Sequence, residues 1–152
     1  MPLLKQLRAE FPEVQAVNAM YTHGLAVIIS TAKRYGGFAK AVGMRAMTTR
    51  HGLGYVAQVI VVDEDVDPFN LPQVMWAMSS KVNPADDVVI IPNLSVVELA
   101  PSASPAGITS KMIIDATTPV KPDVRGNFGT PTKDLPETAE WADRLRSLLA
   151  GR

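Results

Sequence analysis

Residues 55–91 read YVAQVIVVDEDVDPFNLPQVMWAMSSKVNPADDVVII. Within them Val59-Ile60-Val61-Val62 is continuously β-branched, which suits a strand covered on both faces better than one with a wet side. The strand, expected over Tyr55 to Val62, runs into the acidic turn Asp63-Glu64-Asp65-Val66-Asp67. A helix should start at Leu71: Asn70 is a good N-cap, Pro72 fits the first turn, and Gln73 stands three residues after the cap. Leu71, Val74, Met75, Met78 and Val82 recur at spacings of three and four, so this helix is expected to bury that stripe. Pro84 ends it, and Val88 to Ile91 reads as a second short buried strand. Strand, helix, strand in this order predicts a crossover unit, and with it an α/β fold having a mixed or parallel sheet and flanking helices.

Upstream, Leu3 to Glu10 reads as a short helix closed by Pro12. Val14 to Met20 and Leu25 to Thr31 read as strands joined by a turn holding His23-Gly24. Gly36-Gly37 breaks the chain before a helix over Phe38 to Met47. Beyond Pro92 the character changes. Ala100 to Gly107 is small, polar and proline-containing, and Thr117 to Pro136 holds prolines 119, 122, 131 and 136 and glycines 126 and 129. About twenty residues without an evident element is long for a compact domain, and such segments tend to be functional or to wrap a partner. A terminal helix follows. Asp134 and Glu137 form a capping box, and Trp141, Ala142, Leu145, Leu148 and Leu149 form one apolar stripe. The division expected is an α/β core over 1–116 and an extended wrapping segment with a terminal helix over 117–152, whose apolar face must bury itself on its own sheet or on another subunit.

A hydrophobic fraction of 47% over 152 residues allows one ordinary core. The chain lacks cysteine, which excludes disulfides, thiolate metal sites and a cysteine nucleophile, and is consistent with a cytoplasmic setting. Basic and acidic residues balance at 15 each, so no nucleic-acid footprint is expected. The apolar runs are of strand length, too short for a membrane span.

Candidate sites are few. Asp63, Asp65 and Asp67 have the opening spacing of a calcium loop, but Pro68 stands where its glycine belongs and Val74 where its bidentate acid belongs, so calcium is not expected. His51 lies between Thr48-Thr49-Arg50 and Gly52-Leu53-Gly54. Hydroxyls, a cation and glycines together can bind an anion, although composition alone favours a polar turn before a strand. Ser102, Ser104, Thr109 and Ser110 near Lys111 admit a serine–lysine hydrolase only if nucleophile and base meet in space. No catalytic group stands out, as expected for a domain that completes another domain's site.

Four pieces, in order, resemble one family. They are Phe11-Pro12-Glu13-Val14; Lys33-Arg34-Tyr35-Gly36-Gly37-Phe38-Ala39-Lys40; the acidic strand end with Val74-Met75-Trp76-Ala77 and Asn83-Pro84-Ala85-Asp86-Asp87; and Ala103-Ser104-Pro105 with Ser110-Lys111-Met112-Ile113-Ile114-Asp115-Ala116-Thr117. Together they resemble the C-terminal region of the UbiD decarboxylases, most of all the hydroxybenzoate and dihydroxybenzoate decarboxylases. The resemblance implies a lid and assembly domain of a homo-oligomeric, non-oxidative aromatic acid decarboxylase. It implies prenylated FMN (prFMN) and a divalent metal, manganese or magnesium, with potassium as a further ion. These, with a glutamate–arginine–glutamate set, belong to a preceding flavin-binding domain, so the chain is expected to be a fragment with Met1 internal, holding no catalytic residue and inactive alone. The resemblance further places a contact to the cofactor phosphate at Arg50 or His51, where the family has lysine or arginine, and contact with the aromatic carboxylic acid substrate at Leu99. As an apolar residue beside a flexible loop, Leu99 suits simple core equally well. The competing expectation is an oligomerisation or binding module unrelated to decarboxylation.

Overall fold

The computed structural model describes residues 2–20, 24–120 and 136–150. Ten elements follow in chain order: α1 (Pro2–Glu10), β1 (Val14–Met20), β2 (Ala26–Thr31), α2 (Phe38–Thr48), β3 (Gln58–Asp63), α3 (Leu71–Lys81), α4 (Pro84–Asp87), β4 (Val88–Ser95), β5 (Ile108–Ala116) and α5 (Pro136–Ala150). The strands form one mixed sheet in the order β1-β2-β3-β5-β4. β2, β3 and β5 run parallel, while β1 and β4 are antiparallel edge strands. The expected α/β class is the observed one.

The β-branched run fills the middle of this sheet. Val59 and Val61 join a core with α1 and α2 on one face, and Val62 joins a second core with α3 on the other. α2 approaches β5 closely at Gly43, where a Cβ would stand 2.6 Å from Ile113 Cγ2. α3 starts as expected, with the Asn70 side chain accepting from the Gln73 N–H at 3.3 Å.

Three expectations need correction. The return strand of the β3 crossover is β5, not the strand after α3. That next strand, β4, lies at the edge and pairs only antiparallel with β5. β5 itself escapes a hydrophobic-pattern reading because its inward positions are Lys111, Ile113 and Asp115. Two charges in three inward positions mask the period of two on which strand assignment rests. The stripe of α3 is also rotated: Val74, Ala77 and Lys81 are buried, whereas Leu71 and Met75 are exposed. The sheet and the Lys81 ion pair choose the face. Finally, β4 continues past Pro92 to Ser95, with an irregularity between Ile91 and Leu94 and Asn93 at φ 59°. An edge strand accepts a proline that a central one would not.

His23 and the Asp134 cap lie outside the described residues, as does the Glu137 side chain. In α5 the stripe of Trp141, Leu145, Leu148 and Leu149 is exposed.

Candidate functional site

The connection from α2 to β3 is a tight turn held by its own atoms. The buried Thr49 hydroxyl donates to Ala46 O at 3.1 Å and accepts from the Gly52 N–H at 2.8 Å. The Leu53 N–H returns to Thr49 O at 2.8 Å, and the Val56 N–H to Gly52 O at 2.9 Å. A Cβ at Gly52 would fall 1.7 Å from Ala46 O, so only glycine fits there. Arg50 and His51 are the two residues enclosed between Thr49 and Gly52, and both are exposed. His51 also borders an apolar hollow of about 310 Å³ with Tyr55, Gly24 and Val27.

The turn carrying Leu99 lies against the same connection. The Val97 N–H donates to Gly54 O and the Ala100 N–H to Val97 O, the latter at 2.9 Å. Val96 and Ala100 are buried while Leu99 is 86% exposed. Leu99 is therefore not part of this domain's core. Arg50 and His51 thus lie in one connection, and Leu99 in another, at the end of the sheet where β3 and β5 begin, the two joined by the Val97–Gly54 hydrogen bond.

Lys111 reaches that end from β5. It is 1% exposed, and its Nζ donates to Leu53 O at 2.8 Å and to Gly52 O at 3.4 Å. Burial pushes its pKa down. Neighbouring residues of a strand point to opposite faces, and Ser110 is accordingly exposed where Lys111 is buried. The ammonium is committed to backbone carbonyls, so the serine–lysine arrangement does not form. Sequence reasoning missed the role of Lys111. The available signal was a lysine two residues before an apolar strand position, at an inward place.

At the opposite end of the sheet sits Asp63, 8% exposed. It pairs with Lys33 and, at 2.6 Å, with Lys81, and accepts from the N–H and hydroxyl of Thr118 at 2.8 Å each. Burial works to raise its pKa, but the hydrogen bonds from Lys33, Lys81 and Thr118 outweigh it and the carboxyl lies below its ordinary value. Asp67 instead accepts from the Phe69 N–H at 2.9 Å. Among the described residues no three His, Cys, Asp or Glu side chains group so as to hold a metal ion. Asp115, also at this end, accepts from the Thr117 N–H and hydroxyl at 3.1 and 2.6 Å. Burial raises its pKa, with nearby Asp87 adding to the rise against Thr117 and Lys40.

A mixed five-stranded sheet flanked by helices defines an α/β domain, and comparison with known proteins gives its family. Over residues 1–116 the chain matches the 3-octaprenyl-4-hydroxybenzoate carboxy-lyase C-terminal domain, and it belongs to that UbiD family. It is 88% identical over its full length to a phenolic acid decarboxylase of Streptomyces sp. (strain D7), spanning 32% of that protein. The vanillic acid decarboxylase of Sedimentibacter hydroxybenzoicus matches 99% of the chain in its open form, at 53% identity and TM-score 0.85, with 32% of that chain covered. Its closed form matches 97% at 54% identity and TM-score 0.86, with 31% covered. The UbiD-class enzyme HmfF of Pelotomaculum thermopropionicum, in complex with FMN, matches 93% at 29% identity and TM-score 0.76, with 31% covered. An evolved dimeric HmfF in complex with prFMN matches 93% at 25% identity and TM-score 0.68, with 28% covered. The chain thus spans about a third of the relatives it matches. No helix among the described residues is long and apolar enough to cross a membrane.

Proposed function

We propose that this chain is the C-terminal lid and assembly domain of a non-oxidative, prFMN-dependent decarboxylase of phenolic (hydroxybenzoic) acids. One observation carries the reading: an exposed cationic turn and an exposed leucine, far apart in sequence, are tied together at one end of the sheet by the Val97–Gly54 hydrogen bond. A ligand with an anionic part and an aromatic part suits that pair. Arg50 and His51 present guanidinium and imidazole donors of the kind that bind phosphate, so the residues fit the anionic end of a flavin nucleotide. Leu99 offers apolar cover to an aromatic carboxylic acid and excludes water from it. When bound, prFMN supplies the chemistry that releases carbon dioxide; this chain binds, orients and shields.

The phenolic acid decarboxylase relative and the FMN and prFMN complexes of HmfF support this assignment. The open and closed forms of the vanillic acid decarboxylase support a lid that closes. The same reading assigns the glutamate–arginine–glutamate set, the manganese or magnesium ion and potassium to a preceding flavin-binding domain. It places the whole protein in the cytoplasm as a homo-oligomer. A division after Ala116 is supported by the end of the family match, and an assembly role for 117–152 by the exposed stripe of α5.

The test is carbon dioxide release from a panel of hydroxybenzoic acids by the full-length protein loaded with prFMN. Turnover is expected there and none from the 152-residue chain alone. Leu99→Ala should shift discrimination between substrates by about 1–3 kcal/mol. A full-length protein inactive on every phenolic acid overturns the reading and leaves the oligomerisation module; turnover by the chain alone overturns the assignment of the chemistry to a preceding domain.

A further inference from the structure

Lys81 and Lys111 are both buried lysines, but among the described residues Lys81 has a carboxylate partner, Asp63, and Lys111 has none. The hydrogen bonds of Lys111 among the described residues go to two successive backbone carbonyls, 58 and 59 residues away in sequence. Taking an ammonium out of water without an opposing charge is unfavourable. The contact it makes in return is geometric. β5 is an interior strand, hydrogen-bonded on both sides, so Lys111 is a fixed peg. The Thr49–Gly52 turn, by contrast, is held by Thr49 through hydrogen bonds within seven residues of chain, from Ala46 to Gly52.

We propose that Lys111 is the positioning residue of the turn that carries Arg50 and His51. Its ammonium, inserted from the central sheet under Gly52 and Leu53, locks the turn to β5 and so sets the two side chains for an anionic ligand. The positive charge beneath the turn adds to the field that an anion meets there. This inference rests on the phosphate reading given above, but its structural half can be tested apart from it.

The experiment compares the full-length protein with its Lys111→Met, Lys111→Arg and double Arg50→Ala, His51→Ala variants, using FMN as probe. Amide hydrogen exchange is read along the chain and FMN affinity by fluorescence. In Lys111→Met the amides of Leu53, Tyr55 and Val56 should exchange faster while the rest of β3 and β5 keeps its protection. FMN affinity should fall about tenfold, equivalent to about 1.4 kcal/mol. Lys111→Arg, which keeps a cation able to donate to both carbonyls, should restore most of the protection and affinity. Unchanged exchange in the turn, or acceleration spread evenly over the sheet, overturns the positioning role. Faster exchange in the turn, with FMN affinity unchanged in both Lys111→Met and the double variant, upholds Lys111 as the peg and overturns the phosphate reading instead. Should Lys111→Met fail to fold, Lys111→Gln takes its place under the same criterion of local against general loss of protection.

Discussion

The two ends of the sheet treat buried charge in opposite ways. Where β3 ends, Asp63 meets two lysines and the backbone of Thr118, and the cluster is complete within the domain. Where β5 begins, the hydrogen bonds of Lys111 among the described residues go to backbone carbonyls, and Arg50, His51 and Leu99 in the connections at that end stand in solvent. Paired charge makes the first end a structural fastening. At the second end cation and exposed apolar surface lie together without a complement in the described chain, the character expected of a surface that another domain or a ligand completes. The difference separates stability from function along one sheet, within about the length of its strands.

The comparison breaks most visibly at Asp63. Replacing it with alanine leaves Lys81, 3% exposed, as an uncompensated buried cation, with Lys33 beside it. Loss of one partner of such a cluster costs about 3–5 kcal/mol, and urea denaturation should show a midpoint lowered accordingly at unchanged slope. A loss below about 1 kcal/mol, the range of exposed ion pairs, would mean that water reaches the cluster and that the two ends do not differ as described.

Acid titration sharpens the contrast within the fastened end. Asp63 has a lowered folded pKa, so its contribution is present above the unfolded carboxylate value and is lost as pH falls through the lower folded one. Asp115 has a raised folded pKa, so its contribution is present at acid pH and is lost as pH rises from the unfolded value through the folded one. Asp115→Asn keeps an acceptor for Thr117 and removes the charge. Its stability relative to the parent should therefore improve as pH rises through that window and then level off. A variant whose stability difference stays constant with pH would show that Asp115 titrates alike in both states.

The smallest effect is expected at the open end. Leu99→Ala should change folding stability by no more than about 0.5 kcal/mol, the range of surface substitutions, because Leu99 is exposed. A loss of several kcal/mol in the melting or urea curve would place Leu99 in a core after all.

Much of this architecture is readable from local chain chemistry. The β-branched run of β3, the Asn70 cap and the glycine break before α2 act within a few residues, so their signals survive in the linear sequence. Ordered short motifs were likewise enough to point to the UbiD family. The candidate residues Arg50, His51 and Leu99 could be singled out, but their gathering at one end of the sheet could not, since it depends on the hydrogen bond between Val97 and Gly54. β5 stayed hidden for the same kind of reason. Its inward lysine and aspartate look like surface residues until Leu53 O and Thr117 are seen to receive or supply their hydrogen bonds. Which face α3 buries was decided by Asp63, eighteen residues before its partner Lys81. Capping and β-branching are short-range forces that composition records directly. Strand order, helix rotation and the burial of a charge depend on partners that only the folded chain brings within hydrogen-bond distance.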